Sequence, residues 1–355
     1  MAEVHVKSPG RLVAEMLRGS WRTSPPPLEF TPTQLKEITP LLQKSGAAAL
    51  SWRRVQRSEL HDAPHARQLH QSYRRYTLRA ALIQQTIKRA ISLLRSTGVE
   101  PILVKGWAAA LLYPEQGLRP YGDIDLCVRP EQLAAAKGAL KNLADEQHEV
   151  DLHCGFETLG GSDVDEMYAR SQFAQLEETS VRLLSAEDHL RVLSIHMLRE
   201  GAWRPLWLCD IAAAVETRTA RFDWDQCLGK NRRQADWIIC SIALAGELLG
   251  ADIGDTPAAR RTKQLPRWLI ATILKEWEAK MPSMPERHIT PMARYLRYPA
   301  GILKGLRHRW PNPIEATVQV RGPFNELPRL PFQLGNCLAR TAKFAARLPQ
   351  SLRQR

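Results

Sequence analysis

The stretch that most restricts this chain is residues 102–129, ILVKGWAAALLYPEQGLRPYGDIDLCVR. An apolar run, Ile102 to Val104, leads through Lys105 into Gly106. Trp107 to Tyr113 reads as helical, Pro114 to Gly122 as turn, and Asp123 to Val128 alternates with a period of two. On a strand that period puts Asp123, Asp125 and Cys127 on one face and Ile124, Leu126 and Val128 on the other. Same-face residues stand roughly 7 Å apart. Two carboxylates at that spacing, beside a buried apolar face, are placed to hold a divalent metal. Two surface aspartates on a half-exposed strand would show the same spacing, so the pattern leaves both readings open.

The remainder of the chain frames this unit. Arg11 to Leu17 reads as a short peripheral helix, and Pro25-Pro26-Pro27 as a stiff linker. Thr31 followed by Pro32 fits a helix start, with Gly46 as its stop and a second helix from near Ala49. His65 to Ser96 is a long helix whose arginines read as a solvated face. Pro130 starts a further helix, and His148 to Phe156 reads as a strand with Val150 and Leu152 on one side, Asp151 and His153 on the other. Gly160-Gly161-Ser162 is a turn, and the chain beyond it reads as mostly helical. Ser185 approximates a helix cap, with helices expected over Leu190–Leu198, Leu206–Val215, Ala235–Leu249, Trp268–Trp277 and Leu334–Leu348.

A chain of 355 residues, 44% of them apolar, has room for two domains or for one with large additions. Six scattered cysteines without a CxxC point to unpaired thiols in a reducing compartment. No secretory leader pattern and no apolar run of membrane-spanning length is present, so a soluble cytoplasmic protein without a membrane partner is expected. Residues 281–355 carry +10 of the net charge of +13. That bias allows a polyanionic or acidic partner, with Arg294, Arg297, Arg307 and Arg309 as candidates; it equally suits a solvated, proline-broken appendage.

Chemistry gathers around the glycine and the acids. A glycine between strand and helix lets backbone approach a ligand closely, and the free amides of a first helical turn can take phosphate oxygens. The run around Gly106 is neither GxxxxGK[ST] nor GxGxxG. Asp151 is expected on the strand beside Asp123 and Asp125. Three carboxylates from two adjacent strands can hold two Mg²⁺ ions about 3.5–4 Å apart, one on the triphosphate and one on the attacking hydroxyl. Asp151 alone would also suit a solvent-facing acid. His153 could ligate metal, and more naturally donates to a carboxylate or a substrate phosphate; Cys127 and Cys154 make no zinc pattern with it. His196 reads as a structural histidine, Asp210 as an anchor of the helical region, and Trp203, Trp207 and Trp224 as core.

The block Lys105-Gly106-Trp107…Leu111-Leu112-Tyr113-Pro114, then Gly117-Leu118-Arg119-Pro120-Tyr121-Gly122-Asp123-Ile124-Asp125-Leu126, resembles a largely uncharacterised bacterial nucleotidyltransferase-like family of the DNA polymerase beta-like superfamily. Asp151-Leu152-His153-Cys154 is similar to its DLHW block, with cysteine in place of tryptophan, and Leu184–Asp188, His196 and Trp207–Ile211 extend the likeness over about residues 30–250. The resemblance implies an α+β fold: a minimal nucleotidyltransferase core with a small mixed sheet, flanked by N- and C-terminal helical regions. It implies that Asp123, Asp125 and Asp151 are the catalytic metal carboxylates and Gly106 the phosphate-binding turn. The superfamily's Gly-Ser is Gly106-Trp107 here, so Lys105 or Arg119 is expected to replace the serine contact, with His153 beside the substrate.

The expected organisation is an N-terminal helical region packing on the core over 1–97, the nucleotidyltransferase core over 98–180, a helical domain over 181–280 and a basic region over 281–355. The expected activity is Mg²⁺-dependent transfer of a nucleoside monophosphate from an NTP, ATP first, to a hydroxyl or similar acceptor, with release of pyrophosphate. Small molecule, peptide, protein and RNA all remain open as the acceptor, and oligomeric state is not readable. The alternatives are an inactive nucleotide- or RNA-binding protein and a protein-interaction scaffold.

Overall fold

The computed structural model describes residues 7–143, 150–155, 164–279 and 310–352. The expected turn at Gly160–Ser162 and the basic positions Arg294, Arg297, Arg307 and Arg309 lie outside the described residues. The fold is α+β, one open mixed sheet of five strands with helical regions on either side of it in the chain.

Four helices come first: α1 (Pro9–Leu17), α2 (Pro32–Ser45), α3 (Ala48–Val55) and the long α4 (Pro64–Ser96). Strand β1 (Ile102–Val104), the one-turn helix α5 (Gly106–Ala110), β2 (Ile124–Val128), α6 (Leu133–Leu140), β3 (Val150–Cys154), α7 (Val164–Arg170), β4 (Gln172–Leu176) and β5 (Thr179–Leu183) build the sheet layer. Then come α8 (Ala186–Arg199), α9 (Pro205–Glu216), α10 (Trp224–Leu228), α11 (Arg232–Leu249), α12 (Arg267–Glu278), α13 (Pro313–Gln319) and α14 (Leu330–Leu352).

Capping chemistry explains several boundaries. Thr31 and Gln34 form a reciprocal capping box at the start of α2, and Gly46 ends it in the left-handed conformation. The Ser185 hydroxyl accepts from the Asp188 amide at the start of α8, and Asp223 caps α10 in the same way.

The strand order is β3-β2-β1-β5-β4. β1 pairs antiparallel with β2 and parallel with β5, while β2 and β3 run parallel, joined by the crossover through α6. Residues 172–183 are a correction to the helical expectation for this part of the chain: they form an antiparallel hairpin. Its outer strand is the sheet edge, so Gln172 and Gln175 stand in solvent and no hydrophobic run marks it.

Alternation along the strands sorts the core. Leu103, Ile124, Leu126, Val128, Val181 and Leu183 pack on the C-terminal half of α4 and on α6. Ile102, Val104 and Cys127 face the other way, onto Met167 and Tyr168 of α7 and Val192 of α8. A second, larger core joins α1–α3 and the first turns of α4 to α8, α9, α11 and α12. The helix expected to be peripheral belongs to it: Leu12, Val13, Met16 and Leu17 of α1 are buried. The triple proline is pinned as well, since Arg54 donates to the carbonyls of Pro26 (3.0 Å) and Pro27 (2.8 Å).

The two cores meet at the segment between α5 and β2. Tyr113 and Leu118 sit in the helical core. Gly117 lies directly on α4 with φ +86°, where a Cβ would come 2.1 Å from the Thr77 hydroxyl oxygen. Arg119 reaches Asp210 on α9 through Nη2 at 2.8 Å and Nε at 3.2 Å, and the Tyr113 hydroxyl donates to the same carboxylate at 2.7 Å. Asp210 is wholly buried, as its sequence context suggested for an anchor. Burial disfavours the Arg119 charge, but Asp210 outweighs it and holds the guanidinium ionised.

Breaking one side of a buried ion pair strands the other charge. Asp210→Ala is therefore expected to lower unfolding free energy by about 3–5 kcal/mol, and the apolar double replacement Arg119→Met/Asp210→Leu by markedly less. Urea denaturation of the two variants checks this.

Candidate functional site

Asp125 is the second residue of β2, opposite Val104 of β1 and Asp151 of β3. The parallel register brings His153 opposite Cys127, on the same sheet face two residues farther along. One ligand atom from each of Asp125, Asp151 and His153 falls within 4.8 Å of the others. Asp125 is 5% exposed, whereas Asp151 and His153 are half-buried. Asp123 stands just before β2, is exposed, and lies outside that cluster.

A buried carboxylate needs donors. His153 Nε2 is 2.8 Å from Asp125 Oδ1, and Lys105 Nζ donates to the same oxygen at 3.2 Å. An ionised carboxylate can only accept, so Nε2 carries the proton in this contact. Burial pushes the Asp125 carboxyl up, but the His153 hydrogen bond and the Lys105 charge together outweigh it, and the group lies below its ordinary value of 3.8.

Lys105 itself is strained. It adopts φ 53° and ψ −139°, a combination rare for a residue with a Cβ, at the turn from β1 into α5. Gly106 follows with φ +34°, and a Cβ there would lie 3.3 Å from the Asp123 carbonyl oxygen. The glycine is thus required by the close approach of α5 to the start of β2, an intramolecular reason beside the ligand-binding one inferred from sequence.

Above these residues opens a cleft of about 780 Å³. Lys105, Gly106, Asp123 and Asp125 line one wall, and Trp203, Arg204, Trp207 and His196 from the helical half line the other. Arg119 borders the cleft, but its Nε and Nη2 donors are spent on Asp210, which makes it a strut between sheet and helices; nothing leaves those donors for a phosphate. Arg79 of α4, exposed, also lines the cleft, with its guanidinium beside Gly122.

The cleft's helical wall was not legible as a site. Trp203 and Trp207 pack edge to face at 5.4 Å, and His196 meets Trp207 at 4.9 Å. These residues combine core packing with a surface open to the cleft, and the run Trp203-Arg204-Pro205, an aromatic and a cation at a helix start, is the one local signal that could have flagged them. Trp224 packs on Phe222, away from the cleft lining.

The carboxylate pair and imidazole suit a divalent cation: two oxygen donors, one held ionised, and one nitrogen within reach. Among the described residues no helix is long and apolar enough to cross a membrane. A family model described as an uncharacterised nucleotidyltransferase matches residues 31–170 and 144–249. No curated protein and no solved structure matches the chain.

Two outcomes are expected from this geometry. A carboxyl with a depressed pKa stabilises the fold above its unfolded value, and that contribution disappears as pH falls through the folded value. In metal-free protein, His153→Ala or Lys105→Met should raise the Asp125 pKa, so the acid loss of stability should begin at higher pH than in the parent; urea titrations between about pH 2.5 and 5 read the displacement. Gly106→Val should cost about 1–3 kcal/mol of stability through the Asp123 carbonyl and the positive φ, measurable in the same assay.

Proposed function

Because the chain belongs to this uncharacterised nucleotidyltransferase family, we propose that it is a Mg²⁺-dependent enzyme transferring a nucleoside monophosphate from an NTP, ATP first, to a hydroxyl or similar acceptor, with release of pyrophosphate. One observation carries the proposal: Asp125, Asp151 and His153 converge within 4.8 Å of one another, and Asp125 of that group lines a cleft large enough for a nucleotide.

Asp125 and Asp151 would hold the metal, two ions if the exposed Asp123 turns in to join them. Bound there, divalent ions supply positive charge for the phosphoryl oxygens and acidify an attacking hydroxyl. The chain's own residues do the rest. His153 orients Asp125 through its Nε2–H, and exchanging that bond for a metal contact would require Nε2 to give up its proton, to Nδ1 or to solvent. Lys105 is held against Asp125 by the strained turn and needs only a side-chain rotation to meet a phosphate oxygen. Arg79 adds a second cation, and Gly106 lets the backbone of the turn lie close to the ligand. Trp203 and Trp207 offer apolar surface for a base. Positioning and electrostatics of this kind account for most of the barrier reduction in phosphoryl transfer. The acceptor can be a small molecule, peptide, protein or RNA.

Asp125→Asn removes a charge where metal must bind and keeps the shape. It should leave the fold intact and reduce transfer of label from α-³²P NTPs by at least about a thousandfold, with Asp151→Asn close behind. Transfer at the parental rate by folded Asp125→Asn protein would exclude this site.

A further inference from the structure

Arg204 stands at the start of α9, half-buried, on the cleft wall opposite the sheet. Its Nε donates to the Ser45 carbonyl at 2.7 Å, which fixes the plane of the guanidinium. Among the described residues, neither terminal nitrogen has a partner. The neighbouring carboxylate cannot serve it: Asp210 already takes Tyr113 and two donors of Arg119. One terminal nitrogen presses over Gly46, where a Cβ would lie 2.4 Å away, so side-chain bulk is missing where the guanidinium reaches across. A half-buried cation fixed by one bond, beside a second cation whose counter-ion is used up, is costly in the free protein. Burial first, and then Arg119, lower its pKa to about 10. An incoming oxyanion would meet two parallel N–H donors.

We infer that Arg204 is the anion-binding residue of the helical wall, taking a phosphate or carboxylate group of a substrate bound in the cleft. Two sources share that chemistry, the nucleotide's phosphates and an anionic group on the acceptor. The anion seat stands on the cleft geometry; only its assignment to a substrate rests on the nucleotidyl-transfer reading.

The test uses the full chain, with inorganic phosphate and ATP as probes. Phenylglyoxal, which modifies arginine, is applied with and without each probe, and Arg204 is followed by peptide mass spectrometry. Protection of Arg204 by at least one probe is expected. In parallel, calorimetry compares the parent with Arg204→Gln and Arg204→Lys. Arg204→Gln should weaken inorganic phosphate at least tenfold, with Arg204→Lys in between. A parallel loss for ATP assigns the seat to the nucleotide, and unchanged ATP affinity assigns it to an anionic acceptor. Absence of protection by both probes overturns the inference, and so does protection without any loss of affinity in folded Arg204→Gln. Should Arg204→Gln fail to fold, the protection experiment on the parent decides alone. Asp125→Asn should keep the protection by phosphate, so a failure of the transfer reading would be seen separately.

Discussion

The Arg119–Asp210 pair is the interaction on which the site's geometry depends. Among the described residues, apolar side chains cluster on both faces of the sheet and among the helices, and apolar packing by itself has no directional preference. A buried guanidinium and a buried carboxylate do have one, because neither tolerates burial without the other in a specific arrangement. Their contact, with the Tyr113 hydroxyl as third member, ties the segment entering β2 to α9. It thereby sets the distance between the wall that carries Asp123 and Asp125 and the wall that carries Trp203 and Arg204. Everything proposed for the cleft requires those walls to be held at one separation.

The polar residues of the cleft divide by whether their partners are internal. Arg119 is satisfied within the fold. Lys105 and His153 share one oxygen of Asp125, an arrangement that holds a buried charge. Among the described residues, Arg204 and Arg79 have donors left over. A cleft that sets Lys105, Arg79 and Arg204 around the carboxylates of Asp123 and Asp125 is suited to polyanionic ligands such as nucleotides. The family membership and this charge pattern are independent of each other and lead to the same class of chemistry.

Much of this was legible in the sequence because it is local. The period-two run Ile124–Val128 placed Asp125 and the core residues on opposite faces, and the same alternation in Val150–Cys154 put Asp151 on the face of Asp125. Helix starts at Thr31 and Ser185 followed from cap chemistry that needs only a few residues. What was not legible is non-local or polar. The outer strand of the hairpin 172–183 is the sheet edge with Gln172 and Gln175 in solvent, so it lacks the apolar run that marks a strand. Arg119 looked like a phosphate contact because its partner lies 91 residues downstream. Trp203 and Trp207 read as core and Arg204 carried no signal of its own, since only the packing of α8 and α9 against the sheet segment turns their faces into a cleft wall.

The claim at the centre is that Asp125 and Asp151 hold a divalent ion for a nucleotide in this cleft. Crystals of the chain grown with Mn²⁺ and a non-hydrolysable ATP analogue would test it directly, because manganese is located by its anomalous scattering. The account predicts an anomalous peak bonded to oxygens of both Asp125 and Asp151, with the analogue's phosphates beside Lys105. A nucleotide bound with its metal elsewhere, or a cleft that takes the nucleotide with these carboxylates still closed on Lys105 and His153, would contradict it.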